Sequence, residues 1–572
     1  MLDVLGGVFA TAAAGLMMLL LRATLQLRSI PERLLEWLLL FVPPAQLEAG
    51  LQRFGFDAKR YALGAVILVA LAVLAALGVT ALARLWPVRV LLALGPGLWL
   101  LLMLVILPLT GAGVFATEIV GSPLSASFGY LAVCLVYAGG LAAARSLAAD
   151  RSDQTARAPA ESRRAALVGI GGGLGALLAT YALQLVRSPA RLTPIQVLGA
   201  EDRPPGSVID PATHPELVNS TPSASDRATP ATSAQPSAAV ALPEPRPARP
   251  LKRDKDGAVL PSGRRMGELT DLITSNDDFY VVTKNAAGDP VIGARDWRLR
   301  IEGEVAQPIE LDYASLRKLG AVELTKTLEC ISNFAAHCEL APYGCDLIST
   351  AGWKGVRVAD LLSLAGGPKP EATYLTVVSA DEYTSALPLE LALSPETLLA
   401  YEMNGEVLPR EHGYPARLLV PGRYGLKDAK WVVALRLQRR EAVDWYGQRN
   451  WSKDAVVRTM SRIDLPPAGA SLPAGDYNIA GVAYGGDRGV ANVEFSVDGG
   501  ETWEAAEFIE PPVGRDVWAR WIGRFTLPPA AQLTLRSRVT DRTGAVQREE
   551  FSLPQPDGSN GWPSIEVRAQ AS

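Results

Sequence analysis

Histidine is nearly missing from this chain: there are three in 572 residues, His214, His337 and His412. None lies in a long apolar run and no Cys-x-x-Cys-His attachment motif occurs, so no haem is expected in this chain. Cysteine is scarce too. Cys134 lies in an apolar stretch and Cys330, Cys338 and Cys345 cluster, a total of four that excludes a disulfide-built scaffold. Excess positive charge is absent: a net charge of −4 and an isoelectric point of about 5.7 give no basic field to draw nucleic acid. What remains is long and uneven. A length of 572 residues exceeds one ordinary core, and the mean hydropathy of +0.15 averages unlike parts.

The first third lacks charge in stretches. Val4–Leu21, Tyr61–Ala83, Val90–Thr117, Ile119–Ala144 and Ala165–Val186 contain no Asp, Glu, Lys or Arg. Crossing hydrocarbon takes roughly 20 such residues, so residues 1–187 are expected to be an all-α bundle of about five transmembrane helices in a lipid bilayer. Arg145, Arg151, Arg157, Arg163 and Arg164 mark one loop as cytoplasmic, while Gly111–Pro123 carries no Lys or Arg. This predicts a multi-pass protein of the cell membrane with everything after Val186 on the extracytoplasmic side. The Arg22–Arg60 loop is basic against that rule, and Glu32–Leu40 within it reads as an amphipathic interfacial helix. Ser162-Arg163-Arg164-Ala165-Ala166-Leu167 resembles a twin-arginine export signal placed internally; the plainer reading is a stop-transfer flank.

Residues 188–262 change character, with eleven prolines between Pro204 and Pro250. Such a Pro/Ala/Ser-rich segment buries too little apolar surface to offset its ordering entropy and is expected to be a linker.

Residues 263–464 are globular in pattern. Trp297–Ile301, Thr373–Val378, Leu398–Met403, Arg417–Val420 and Trp431–Leu437 read as strands, with a hairpin at Asn404-Gly405. Leu311–Leu319 and Arg357–Leu364 read as short helices, which together make an α+β domain. Chemistry concentrates at Thr327-Leu328-Glu329-Cys330-Ile331-Ser332-Asn333, at His412–Arg417 and at Pro421–Lys430. A thiolate suits a soft metal, although a lone cysteine is more often a small buried hydrophobe. Glycine turns carrying His, Arg and Lys suit a phosphate, although a single such loop is usually a solvated one.

Taken in order, these segments resemble the molybdopterin domain of the sulfite oxidase family. Asn276–Tyr280, Gly344–Ser349, Trp353–Val356, Leu399–Gly405 and His412–Trp431 carry the resemblance alongside the Cys330 segment. It implies a molybdenum–molybdopterin cofactor (Mo-MPT) with Cys330 as the protein's metal ligand. It also implies cofactor contacts from Phe279, Tyr280, Lys284, Asn285, Ser379, His412, Arg417, Asp428, Ala429 and Lys430. The reaction implied is a two-electron oxygen-atom transfer, with electrons leaving to a separate carrier such as a cytochrome, a copper protein or a quinone site.

The departures bear on substrate. The family's animal and plant members place an arginine where this chain has Ala335, an arginine where it has Lys284, and a tyrosine where it has Trp451. Lys284, Trp451 and Cys330 are therefore the expected catalytic set, and sulfite itself is put in question. An apparent insertion, Phe334–Tyr343, offers a Cys338–Cys345 disulfide first, free thiols second, and a metal site with His337 third.

Residues 465–572 alternate short strands and turns, as in Val490–Val497, Trp518–Phe525 and Leu533–Val539. The spacing suggests an immunoglobulin-like sandwich, and the resemblance implies dimerisation there. The expected function is oxidation of sulfite or a related sulfur compound. The alternatives are reduction of S-oxides or N-oxides of the methionine sulfoxide type, and a non-catalytic surface binding protein.

Overall fold

The structure is a computed structural model. It describes residues 2–43, 57–120, 122–152, 242–246, 267–341 and 343–570, with positions 46, 50, 53 and 54. These fall into two units, one of N-terminal helices together with the segment Lys284–Val291, the other holding the globular remainder.

In the helical unit, α1 spans Leu2–Leu25, α2 Ile30–Leu38, α3 Ala58–Ala83, α4 Val88–Leu109 and α5 Pro123–Ser152. Among the described residues, four helices, all but α2, are long and apolar enough to cross a membrane by length and composition. The expected boundaries shift because a helical hydrogen-bond ladder does not stop at the first charge: α1 continues through Arg22, and α4 ends near Leu109 rather than Thr117, ahead of left-handed Gly111 and Gly113. The fifth run, Ala165–Val186, the twin-arginine segment and the linker at 188–241 and 247–262 lie outside the described residues.

Small residues let these helices approach closely. A Cβ on Gly7 would come within 2.7 Å of the Val79 backbone nitrogen, and one on Gly140 within 3.0 Å of Ala10. The capping box of α2 is closed reciprocally by Ser29 and Glu32. α2 turns charge inward. Arg33 Nε donates to the buried Tyr130 hydroxyl at 3.2 Å, and Arg22 pairs with Glu32 at 3.2 Å.

The globular unit begins with an α+β region of two sheets. One has the order β2-β1-β10-β5-β6, where β1 is Arg298–Gly303, β2 Ile309–Asp312, β5 Tyr374–Ser379, β6 Thr384–Pro388 and β10 Val432–Gln438. The other has the order β3-β4-β7-β8, where β3 is Val322–Glu329, β4 Ile348–Arg357, β7 Leu398–Met403 and β8 Glu406–Val407; β9, Arg417–Leu419, pairs with β7. Leu311–Leu319 is not all helix: β2 runs to Asp312, whose side chain accepts from the Ser315 N–H at 2.7 Å and caps α6, Tyr313–Lys318.

The C-terminal region is two further sheets. They comprise β11 (Met460–Leu465), β12 (Ala470–Leu472), β13 (Gly475–Tyr484), β14 (Val490–Ser496), β15 (Glu504–Ala505), β16 (Glu507–Phe508), β17 (Ala519–Leu527), β18 (Gln532–Asp541) and β19 (Ser564–Ala569). Ile479 and Trp521 of one sheet share a buried core with Phe495, Val539 and Val567 of the other. The last strand before residue 466, β11, pairs with β13 and so lies in the C-terminal sheet.

Candidate functional site

Strand β3 delivers Cys330 to a turn that its neighbours close. The Cys330 N–H donates to the Leu347 carbonyl at 2.9 Å, and Asn333 bridges back to Glu329 Oε1 at 2.9 Å and accepts from the Leu347 N–H at 3.0 Å. Cys330 is in no disulfide and is 5% exposed. The next loop is tied by a Cys338–Cys345 disulfide, the first of the three alternatives above.

Around this turn the fold gathers groups from distant segments. Phe279 stacks on Tyr280 at 5.4 Å and meets the rings of Trp353 at 5.8 Å and His412 at 5.2 Å. Gly425 gives Tyr280 its place, since a Cβ there would sit 3.0 Å from the phenol oxygen. Burial, then the positive charge of Arg417, lowers His412 to about 3. The ring is therefore neutral, and its Nε2 lies 3.1 Å from the Asn276 carbonyl. A carbonyl only accepts, so the proton is on Nε2 and Nδ1 is left as an acceptor.

Arg417 is wholly enclosed. It donates to the carbonyls of His412 at 3.0 Å and Asp428 at 3.3 Å and lies over the Trp353 ring at 5.1 Å. Burial lowers its pKa and raises that of Asp428 to about 6. Asp428 Oδ1 accepts from the Val420 N–H at 2.7 Å, and the Leu418 N–H donates to Ala429 at 2.8 Å. Lys430 donates to the carbonyls of Val282 and Glu411, at 3.0 and 2.9 Å. Ser379 stands opposite Val432 across the β5–β10 pair.

Several buried atoms here have no hydrogen-bond partner: Ser379 Oγ, Arg417 Nε, Asp428 Oδ2 and, on the residue before Cys330, Glu329 Oε2. Burial pushes the Glu329 carboxyl up to about 8. Leaving such groups unsatisfied costs roughly 1–3 kcal/mol each, which a polar ligand would recover. Among the described residues no group of three or more His, Cys, Asp or Glu could hold a metal ion. A metal at Cys330 would thus take its remaining ligands from a small molecule, and the thiol, the cations and the orphaned polar atoms fit a sulfur-bearing, anionic one.

Lys284 and Asn285 group with the helical unit: the Lys284 ammonium pairs with Glu36 of α2 at 3.3 Å, and Asn285 donates to Asp289 at 3.1 Å. Trp451 packs beside Tyr446, with ring centres 5.9 Å apart. Tyr446 was missed by sequence reasoning. Burial and then the negative charge of the Cys330 thiolate raise its phenol, as they do that of Tyr280, and no motif flagged it.

Residues 286–446 match the oxidoreductase molybdopterin binding domain family, and residues 454–550 match the Mo-co oxidoreductase dimerisation domain. The chain is 30% identical over 319 residues to sulfite oxidase of Gallus gallus, covering 49% of this chain and 69% of that protein. It is 32% identical over 337 residues to mitochondrial sulfite oxidase of Mus musculus, covering 52% and 61% respectively. A solved structure, of the sulfane dehydrogenase SoxCD from Paracoccus pantotrophus, is similar over 52% of this chain and 82% of its own, at 25% identity and a TM-score of 0.47.

Proposed function

This chain belongs to the sulfite oxidase family of molybdenum-cofactor oxidoreductases, and on that premise we propose that it oxidises a small sulfur oxyanion or related sulfur compound and passes the electrons to a separate carrier. The observation that carries the reading is the buried Cys330 in a domain that also encloses partnerless polar atoms at Ser379, Arg417 and Asp428. Neither reduction of S-oxides or N-oxides nor a non-catalytic binding role is favoured by the relatives.

Bound molybdopterin supplies the two-electron oxygen-atom transfer. The protein's part is to hold and to shield. Cys330 is the one protein sulfur for the metal. Arg417 and Lys430 balance the charge of the cofactor's phosphate, while Ser379, Asp428 and the Asp428–Lys430 backbone supply donors and acceptors in a site closed to water. Neutral His412 offers Nδ1 as an acceptor without adding charge.

The proposed organisation is a membrane-anchored bundle over residues 1–187, a linker over 188–262, the cofactor domain over 263–464 and an immunoglobulin-like dimerisation domain over 465–572. The four apolar helices support the anchor. The arginine-rich loop after α5 supports an extracytoplasmic catalytic domain. The two-sheet core and the dimerisation-domain match support a homodimer.

Molybdenum stoichiometry and sulfite-dependent dye reduction, measured on purified full-length protein, test the function. About one metal per chain is expected, with turnover lost in Cys330→Ser. Metal-free protein, or full turnover without that thiol, would overturn it.

A further inference from the structure

Five residues of the proline-rich linker dock on the cofactor domain. Leu242 packs on its buried core, and Pro245 is buried. The Pro243 carbonyl accepts from the Tyr414 hydroxyl at 3.1 Å. Glu244 accepts from the Ala294 N–H at 3.2 Å and pairs with Arg410 at 3.6 Å, and Arg246 pairs with Glu406 at 2.5 Å. Proline at two of the five positions restricts the backbone before docking, so ordering this stretch costs less entropy than ordering a glycine-rich one.

Two of these contacts converge on one turn. The short turn Arg410–His412 presents three successive carbonyls to the cofactor cradle. That of Arg410 accepts from Trp431 Nε1 at 2.9 Å, that of Glu411 from the Lys430 ammonium at 2.9 Å and that of His412 from the Arg417 guanidinium at 3.0 Å. One turn therefore aims both cations assigned above to the cofactor's phosphate. A turn this short has little stability of its own. The linker holds it at Arg410 through Glu244 and at Tyr414, two residues past its end, through Pro243; the Arg410 guanidinium also lies over the Tyr414 ring at 5.8 Å. Arg246 adds a second route. Its partner Glu406 accepts from the Asn276 side-chain amide at 3.5 Å, and the Asn276 carbonyl accepts from His412 at 3.1 Å.

We propose that Leu242–Arg246 is a positioning strap for the cofactor cradle. By clamping the turn from Arg410 to Tyr414 it keeps Lys430 and Arg417 aimed, so retention of the molybdenum cofactor depends on a piece of the linker. This rests on the cofactor reading above. Glu244 and Arg246 act through Arg410 and Glu406 and not on the substrate, so their effect should fall on cofactor retention and not on turnover by loaded molecules.

The test uses the detergent-solubilised full-length chain carrying Glu244→Lys, the double change Pro243→Gly and Pro245→Gly, or Glu244→Gln as the conservative variant. Molybdenum still bound is followed over time by gel filtration and metal analysis. Glu244→Lys and the double variant should release it about tenfold faster, while Glu244→Gln, which keeps an acceptor for the Ala294 N–H, should stay within about threefold of wild type. Sulfite KM, and kcat per bound molybdenum, should stay within about twofold in all three. Amide hydrogen exchange on cofactor-free protein gives a readout independent of the cofactor: protection should fall at residues 410–418 and hold in the C-terminal sheets. Wild-type release rates in both Glu244→Lys and the double variant would overturn the proposal. So would protection lost evenly across the domain, the mark of general destabilisation. If the wild type carries no molybdenum, the functional reading fails, and exchange at residues 410–418 still decides whether the strap holds the turn; unchanged protection there would sink the strap as well.

Discussion

The cofactor region and the C-terminal sheets both bury charge, but they finish the job differently. In the cofactor region, Arg417 Nε, Asp428 Oδ2 and Ser379 Oγ are enclosed without partners. In the C-terminal region the buried carboxylates are closed by partners. Asp516 takes Lys326, the Tyr484 hydroxyl at 2.5 Å and the Gly422 N–H at 3.1 Å; Arg462 takes Asp464 at 2.8 Å, the Cys345 carbonyl at 3.0 Å and Thr270 at 2.6 Å. Partnerless atoms occur there as well, at Trp521 Nε1 and Arg536 Nε, but singly rather than beside a thiol and a glycine-rich turn. Satisfied burial marks structure, and grouped unsatisfied burial marks a place built for something else.

That contrast breaks if the two kinds of charge respond alike to mutation. Removing a charge from the closed network should have the largest effect on folding. Asp516→Ala leaves the Lys326 ammonium enclosed and uncompensated, and should cost about 3–5 kcal/mol in the thermal unfolding of the detergent-solubilised chain. Arg417→Met should behave in the opposite sense. Cofactor-free protein should lose less than the Asp516 variant, about 1–3 kcal/mol for the carbonyls left without a donor, while molybdenum loading drops by about 10–100-fold. Equal destabilisation of the cofactor-free protein by both substitutions would remove the distinction.

Smaller effects sharpen it. Ser379→Ala deletes an enclosed hydroxyl that has no partner, so cofactor-free stability should be unchanged or slightly raised; metal content should fall by only about two- to fivefold. The smallest effect is one of acid. Burial would raise the Asp541 carboxyl, but hydrogen bonds from Thr543, Arg488 and the backbone hold it near 2 against an ordinary 3.8. A depressed carboxylate contributes stability above its unfolded value and loses it as pH falls through the folded one. The C-terminal region should therefore weaken between about pH 4 and pH 2, and Asp541→Asn should flatten that part of the melting-temperature profile.

Much of the molecule was legible in local pattern. Leu398–Met403 is a nearly continuous apolar run that ends at Asn404-Gly405, and it forms β7 and its hairpin with both turn residues in the left-handed region. Cys330, His412, Arg417 and Asp428 stood out because thiol, imidazole, guanidinium and carboxylate interrupt otherwise apolar strands and glycine turns, and the fold gathers their segments. Lys284 was read from its place in a motif, yet its partner Glu36 lies 248 residues away. Tyr446 lay outside every motif, and only packing revealed its nearness to the thiol. The loop cysteines had three outcomes until their distance was known.

The amino-acid order by itself set which stretches are apolar enough for helices of membrane length, where strands alternate, and which segments carry metal- and anion-seeking side chains, because these depend on neighbours a few residues apart. Tertiary structure alone decided which carboxylate each buried cation meets and which polar atoms are enclosed without partners. Those properties depend on distances of a few ångströms between residues far apart in the chain, and electrostatic and desolvation energies change steeply over that range.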